Sequence, residues 1–584
     1  MCGIVGFYNH SSDTVSLECL KEMARSMRHR GPDDEGYYLK EGVGLGHVRL
    51  SILDLSAKGR QPMKSRYSDC YLVFNGEIYN YQDLRKELSS AGYLFETNTD
   101  TEVLLYALEC WGLNETLCRI NGMYAFGYWM EKEKKFILAR DRLGKKPLYY
   151  YHNGPHFVFA SELKAIFNYP FCEKKIDEEA RRQYFTYHYV PSPYSIIKNI
   201  KKLPPGYYLE FAQNIPFIKS YWKPSETILL GNTKQKDVED VLEETVRLLK
   251  SSIKYRLISD VPLGIFLSGG VDSALITALA SQESSSRLQT FSIGFEESPF
   301  DEAPFAREVA SCFGTDHHEY YLKPTDMLGC TEDILTNLDE PFGDSSFIPT
   351  YFVSKMARKH IKVALGGDGG DELLGGYVKY KSLKYAGAIA KLLPKKFRKK
   401  VFSFYNPSFG NLCEEWKSMD LVSAMMGIDL QTYLPDDILT KVDRASMANS
   451  LEVRAPLLDY HLVEFLLRLP LAFKIQGGVQ KFLFKKILSK YPLEKKLIQR
   501  KKMGFCLPLK DWFRKELRYL LEKYLSPDAI RSTDFLNVSK VQGLIQEHTQ
   551  NKKDHSSKLF AILAYQIWHD RYIERLRNTS ISFW

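Results

Sequence analysis

Three short stretches carry residue types that could do covalent or phosphate chemistry. The first is Cys2, followed at once by Gly3-Ile4-Val5-Gly6. With Met1 excised, as a small second residue permits, Cys2 carries both a thiol and the chain's α-amino group. A free α-amine titrates at roughly 7.7–8.0 and a free thiol at about 8.5, so this amine can act as general base for its own side chain. The second stretch is Ser268-Gly269-Gly270-Val271-Asp272-Ser273. Its glycines let backbone N–H groups approach phosphate oxygens, its hydroxyls can donate, and a following helix N-terminus favours an anion. It lacks the Gly-Lys-Ser/Thr of a Walker A loop. The third is Gly366-Gly367-Asp368-Gly369-Gly370-Asp371-Glu372. Carboxylates on a glycine loop suit Mg²⁺, which takes one or two of them plus substrate phosphates. Each stretch also has a plainer reading: a chance cysteine, a glycine turn and a flexible surface loop.

The elements that must position these residues are of two kinds. Up to about residue 210 the pattern is short strands broken by Gly, Asp and Asn: Gly3–Tyr8, Gly44–Leu50, Tyr71–Phe74, Ala125–Trp129, Phe136–Arg140 and Phe157–Ala160. Helical spacing is confined to Leu17–Met27, Tyr81–Ala91 and Thr101–Cys110. This predicts an α+β layered sandwich. Pro191-Ser192-Pro193, Pro204-Pro205-Gly206 and the polar run from Gly231 to Asp237 place a boundary near 215–235, giving domains at 2–215 and 236–584. Beyond it come a helix over Val238–Arg256, a strand over Val261–Leu267, a helix over Ala274–Ser281, and strands over Thr290–Phe295 and Ile361–Leu365. Strand, glycine turn and helix in that order predict a doubly wound α/β sheet, with a mostly helical C-terminal part.

Further motifs follow Cys2 in order: His29-Arg30-Gly31-Pro32-Asp33, Arg49-Leu50-Ser51-Ile52, Phe74-Asn75-Gly76-Glu77-Ile78-Tyr79-Asn80 and Thr99-Asp100-Thr101-Glu102. Alone, Asn75-Gly76 reads as a hairpin turn. Together with Cys2, these segments resemble the glutaminase domain of the class II glutamine amidotransferases, an N-terminal nucleophile sandwich, over about residues 2–210. The resemblance implies that Cys2 attacks the side-chain amide of glutamine and that Asn75 and the Gly76 N–H form the oxyanion hole. It implies that Arg49 holds the α-carboxylate of glutamine and Asp100 its α-ammonium, with Glu77 on the same turn as the oxyanion donors.

The Ser268–Ser273 motif is similar to the pyrophosphate loop of ATP pyrophosphatases. With Asp301-Glu302-Ala303, His317-His318-Glu319, Asp339-Glu340-Pro341, Asp443-Arg444-Ala445-Ser446-Met447, Leu451-Glu452-Val453-Arg454-Ala455-Pro456 and Arg500-Lys501-Lys502-Met503-Gly504-Phe505, nearly the whole chain resembles the glutamine-hydrolysing asparagine synthetases. Such enzymes adenylate the β-carboxylate of aspartate with ATP and let glutamine-derived ammonia displace AMP. The resemblance implies an ATP site lined by Leu267, Ser268, Gly269, Gly270, Asp272, Ser273, Ile293, Gly366 and Gly367. It puts Mg²⁺ on Asp272 and Asp371, and gives Asp368 and Lys481 catalytic roles in forming the adenylate and steadying its charge. Two departures leave the acceptor open. The family's Ser-Gly-Glu-Gly-Ser-Asp-Glu is here Gly366 to Glu372, a form like that of surface-polysaccharide enzymes whose acceptor is a sugar (uronic acid) carboxylate. Its Leu-Leu-Arg is here Leu483-Phe484-Lys485.

Composition narrows the partners. The 584 residues are 44% hydrophobic and 26% charged, as in globular chains and unlike disordered or collagen-like ones. The net charge of +9 gathers in runs such as Lys395-Lys396-Phe397-Arg398-Lys399-Lys400 and Arg500-Lys501-Lys502, which read as solvated faces. An RNA-binding or tRNA-modifying ATP pyrophosphatase is the competing class, and a complete glutaminase half argues against it. The ten cysteines show no C-x-x-C pair and no metal-ligand spacing, and no signal peptide or apolar span stands out. A cytoplasmic enzyme with free thiols is expected, binding neither nucleic acid nor membrane. Homodimers are common in the family it resembles.

Overall fold

The computed structural model describes residues 1–11, 14–229, 237–297, 299–327, 331–383, 415–416, 419–500, 504 and 507–574. The Lys395–Lys400 run, Lys501-Lys502, Phe505 and residues 231–236 lie outside the described residues. Among the described residues, Cys2, Cys19, Cys70, Cys110, Cys118, Cys172 and Cys312 are free thiols, and no helix is long and apolar enough to cross a membrane.

Two six-stranded antiparallel sheets occupy the first part of the chain. One runs, in spatial order, Ile200–Lys202, Tyr149–Asn153, His156–Ala160, Gly3–Asn9, Val43–Arg49 and Asp34–Lys40. The other runs Ile215–Ser220, Tyr207–Ala212, Lys135–Arg140, Gly122–Met130, Cys70–Ile78 and Met63–Lys64. Their inner faces share a core that includes Ile4, Leu45, Val73, Trp129, Leu138 and Phe159. Alternation along each strand sends the other side chains outward, and helices cover them. Leu17–Arg25, capped by the Ser16 side chain, buries Leu20, Met23 and Ala24 on the first sheet. Tyr81–Ser90 and Asp100–Arg119, the latter capped by Thr99, bury Leu84, Leu88, Val103 and Leu104 on the second. The sandwich thus has four layers, helix–sheet–sheet–helix.

Asn75-Gly76 is not a turn. It lies inside the Cys70–Ile78 strand, paired with Ala125 and Tyr124 of the neighbouring strand. Glycine is needed there because a Cβ at Gly76 would stand 2.2 Å from the Met123 carbonyl oxygen. The two-residue turn signal is overridden by this close sheet packing.

The second part is built on a five-stranded parallel sheet in the order Asp316–Leu322, Gln289–Phe295, Leu263–Phe266, Val363–Leu365, Glu452–Arg454. The chain lays three strands outward to one side, then returns to place the last two on the other. The strand order therefore reverses between Leu263–Phe266 and Val363–Leu365, and ligands of such sheets bind at the carboxyl ends beside that reversal. One face packs on a core including Ile265, Leu275, Val309 and Leu466, the other on one including Phe291, Ile348, Trp512 and Leu563.

The two parts dock through buried charge. Arg30 is 0% exposed; its guanidinium donates to the Cys2 carbonyl at 3.0 Å, to Glu162 at 2.9 Å and to both oxygens of Asp443 at 2.8 and 3.0 Å. Lys146 lies 3.4 Å from Asp443, and Arg444 lies 2.7 Å from Glu162 and 3.2 Å from Asp339. Against the cost of burial, Arg30 and Lys146 hold the Asp443 carboxyl below the usual carboxylate range. Removing one partner of such a pair leaves the others charged and unpaired in the interior. Asp443→Ala is therefore expected to lose about 3–5 kcal/mol, read as a fall in the urea midpoint. An unchanged midpoint would show that the docking does not depend on this pair.

Candidate functional site

Cys2 opens the Gly3–Asn9 strand in the middle of its sheet, which pins the first residues of the chain. It lines a small cavity of about 30 Å³ with Arg49, Leu50, Ile52, Gly76, Glu77, Asp100 and Glu452. Burial pushes the Cys2 thiol up, against the lowering effects of the nearby amino terminus, the Leu50 N–H and Arg49. A neutral thiol needs a base to become a nucleophile. The Cys2 N–H donates to Asn75 Oδ1 at 3.1 Å, and the amino terminus on Met1 lies 3.2 Å from Glu452.

Asn75 and Glu77 project from one face of their strand, being two residues apart, so Glu77 reaches the cavity from a strand and not from a turn. Burial and the neighbouring Asp100 push the Glu77 carboxyl well above its ordinary range, with Arg454 opposing. Asp100 stands in the first turn of its helix and accepts from the Ile78 N–H at 2.8 Å. Burial raises its pKa to about 7. Arg49 also reaches the cavity, but its guanidinium is already anchored to the carbonyls of Ser56 at 2.8 Å, Leu53 at 3.3 Å and Asp54 at 2.6 Å. Three of its five N–H donors are thus spent on its own loop.

The two glycine loops meet in a second, larger cleft of about 1000 Å³. Residues 268–273 follow the Leu263–Phe266 strand and 366–372 follow Val363–Leu365, the two strands flanking the reversal of order. Leu267, Ser268, Gly270, Asp272, Ser273, Ile293, Gly366, Gly367, Asp368, Asp371 and Lys481 all line the cleft. Gly269 is not on its wall. It has φ +66°, and a Cβ there would come within 2.6 Å of Ala306 N and Phe305 Cβ, so its part is to let the turn pack on the Ala303–Phe313 helix. The Ser268 and Ser273 hydroxyls lie 3.2 Å apart across the turn.

Asp272 and Asp371 each sit in the first turn of a helix. Their carboxylates converge on Lys481 Nζ, at 2.6 Å from each. Lys481 adopts φ +53° after the Gly477-Gly478 turn, a left-handed conformation uncommon for a residue with a side chain. Glycines make the convergence possible. A Cβ at Gly370 would stand 2.5 Å from the Asp272 carboxylate, and one at Gly376 would stand 1.9 Å from Asp371 Oδ1 and 2.2 Å from Lys481 Cε. Two carboxylates aimed at one cationic position fit the donor set that Mg²⁺ takes beside phosphates.

Residues 1–222 match the glutamine amidotransferase domain family, and residues 244–570 match the asparagine synthase family. Asparagine synthetase [glutamine-hydrolyzing] 1 of Bacillus subtilis is 33% identical, over 98% of this chain and 97% of its own. Asparagine synthetase [glutamine-hydrolyzing] 3 of the same organism is 32% identical over 84% of each chain. Asparagine synthetase B of Escherichia coli is 33% identical over 65% of each. The chain belongs to the glutamine-hydrolysing asparagine synthetase family.

For a member of this family, the cleft has walls that the sequence motifs do not include. Asp344, Ser346, Tyr377, Tyr433 and Lys441 also line it, beside Arg500 at the head of a motif. Lys441 donates to Asp344 at 2.9 Å and to Ser346 at 2.8 Å, and Tyr377 donates to Glu372 at 2.6 Å. Arg500 pairs with Glu302 beside the first loop. These residues come from separate helices and turns, and no spacing links them along the chain. The one signal was that Lys441 shortly precedes the Asp443-Arg444 motif, and Arg500 opens another.

Misplacing a reacting group by about 1 Å can cost on the order of 10²-fold in rate. Gly370→Ala pushes on the Asp272 carboxylate without touching the Cys2 cavity. It is expected to lower acceptor-dependent pyrophosphate release at least tenfold and to leave glutamine hydrolysis intact. Wild-type pyrophosphate release in the folded variant would contradict this role for Gly370.

Proposed function

We propose that this enzyme is a glutamine-hydrolysing asparagine synthetase in which Cys2 frees ammonia and the second cleft activates aspartate. Once Met1 is excised, the new α-amine belongs to Cys2 itself, beside Asn75, and takes the thiol proton. The thiolate attacks the glutamine amide carbon, the Asn75 amide and the Gly76 N–H stabilise the oxyanion, and the C–N bond breaks to release ammonia and leave a thioester. Water then returns glutamate and the thiol. Arg49 takes the substrate carboxylate with its two remaining N–H donors, and Asp100 with Glu77 takes the ammonium. Because Asp100 has its pKa raised to about 7, its cation-binding form gains population as pH rises through neutrality.

In the second cleft, ATP lies along residues 267–273, Ile293 and Gly366-Gly367. Asp272 and Asp371 would hold Mg²⁺, which supplies charge neutralisation for the phosphates. The aspartate β-carboxylate oxygen bonds to the α-phosphorus and pyrophosphate leaves. Asp368 orients this step and Lys481 steadies the developing charge. Ammonia then adds to the acyl carbon, AMP departs, and asparagine forms.

The observation that carries this reading is the apolar seam that the two halves share beside the Cys2 cavity. Leu50, Ile52, Tyr79 and Met123 from the first part pack with Val363 and Met447 from the second in one apolar cluster, which also holds Met1 before its excision. Leu50 and Ile52 line the Cys2 cavity, and Val363 begins the strand that ends in the carboxylate loop. An uncharged route suits neutral ammonia, which in bulk water near neutral pH would be protonated and useless as a nucleophile.

The test is Cys2→Ala assayed with Mg²⁺-ATP and either glutamine or alkaline ammonia, offering aspartate and, separately, a uronic acid. Loss of glutamine-dependent asparagine with ammonia-dependent asparagine retained is expected. Glutamine-dependent turnover by the variant would remove Cys2 from the mechanism, and amidation of the uronic acid in place of aspartate would change the acceptor.

A further inference from the structure

Arg454 belongs to neither glycine loop, yet it touches both sites. It is 0% exposed. Its Nε donates to Glu452 at 2.7 Å, its Nη1 to the carbonyls of Arg256 at 2.9 Å and Ile258 at 2.6 Å, and its Nη2 lies 3.3 Å from Glu77 Oε2. Glu77 and Glu452 both line the Cys2 cavity. The guanidinium therefore backs two acidic side chains of the proposed glutamine site, although it is carried by the sheet of the other half.

The backbone of the same residue holds the other site. Arg454 pairs with Leu365 at the end of the adjoining parallel strand, and its carbonyl accepts from the Gly366 N–H at 2.8 Å. Gly366 opens the loop that carries Asp368 and Asp371. A Cβ at Gly366 would stand 2.8 Å from Asp368 Oδ2, so this bond fixes the residue on which Asp368 rests. One residue thus joins the acidic wall of the first cavity to the first glycine of the loop in the second.

The fork has little freedom to absorb a change. Four partners fix its orientation, and it lies over the Tyr79 ring at 5.7 Å, the same ring that Arg256 covers at 4.2 Å. The charge on its acidic neighbours is what glutamine would alter. Burial pushes the Glu77 and Asp100 carboxyls above their ordinary range, whereas Arg454 holds Glu452 below its own against the cost of burial. An ammonium arriving beside Glu77 and Asp100 favours their ionised forms and changes the pull on Nη2.

We propose that Arg454 is a positioning residue that couples glutamine hydrolysis to the state of the Gly366–Glu372 loop, through Glu77 on one side and the Gly366 N–H on the other. This rests on the reading of the two sites given above. Coupling of binding is reciprocal: an occupied nucleotide loop strengthens glutamine binding by the factor by which glutamine strengthens nucleotide binding. Lysine keeps the charge at 454 but cannot serve Glu452, Glu77 and two carbonyls at once.

The experiment counts glutamate formed per amide product in full-length enzyme with Mg²⁺-ATP, aspartate and glutamine, beside ammonia-dependent synthesis as the control. Wild type is expected near one glutamate per amide. Arg454→Lys is expected to raise that ratio several-fold while ammonia-dependent synthesis stays within about twofold. Glu452→Gln, which removes the charge facing Nε and leaves Arg454 in place, is expected to raise the ratio in the same direction and decides the matter if Arg454→Lys does not fold. A ratio that stays at the wild-type value overturns the proposal. So does an equal fall of glutamine- and ammonia-dependent synthesis, which marks a merely structural arginine. Absence of amide from wild type with glutamine and with ammonia alike would instead overturn the underlying reading, and the proposal with it.

Discussion

Arg30 has no exposed surface, so every partner of its guanidinium must be inside the protein, and those partners come from both halves of the chain. Burying such a charge is costly unless it is paired and hydrogen-bonded. The two halves therefore cannot slide or separate without stranding Arg30, Arg444, Asp443 and Glu162 in a poorly solvated seam. Hydrophobic contact alone would tolerate many relative placements. A fork-shaped donor meeting both oxygens of Asp443 tolerates very few. Because Arg30 also holds the Cys2 carbonyl, the register that satisfies the seam also sets where the proposed nucleophile stands relative to the second half.

That register brings together pieces that are remote in sequence. The helix Thr440–Met447 shows how compactly this is done. Lys441 faces the large cleft, Asp443 and Arg444 hold Arg30 and Glu162, and Met447 enters the apolar cluster shared with Leu50 and Ile52. The strand Glu452–Arg454 repeats the pattern, with side chains toward the Cys2 cavity and backbone toward the carboxylate loop. The Cys2 cavity of the first half is thus completed by Glu452 from the second.

Much of this was legible in the sequence because its cues are local. The helix Val238–Arg256 has the bounds its spacing predicts, and the strands about Gly3, Gly44 and Phe136 lie where alternation and turn residues put them. The glycine loops were readable because strand, glycines and helix are contiguous. Asn75-Gly76 failed as a turn because a neighbouring strand, remote in sequence, decides its conformation. Arg49 was readable as a residue of the cavity, but not its tether to three carbonyls of its own loop. Nor did spacing say that Lys481 stands between Asp272 and Asp371, because that depends on a left-handed turn and on missing Cβ atoms at Gly370 and Gly376. The seam was the least legible part. Its ion pairs join residues separated by hundreds of positions, and a charged residue in a sequence looks like a surface residue until its partner is found.

The central claim is that ammonia passes from Cys2 to the acyl carbon without entering solvent. The direct measurement is synthesis from glutamine labelled with nitrogen-15 in its amide, run in excess unlabelled ammonium near neutral pH, with mass spectrometry of the amide product. The account predicts product that carries the glutamine label undiluted. Label diluted toward the bulk ammonium pool would contradict it, because the two sites would then be sharing solvent and not a sealed route.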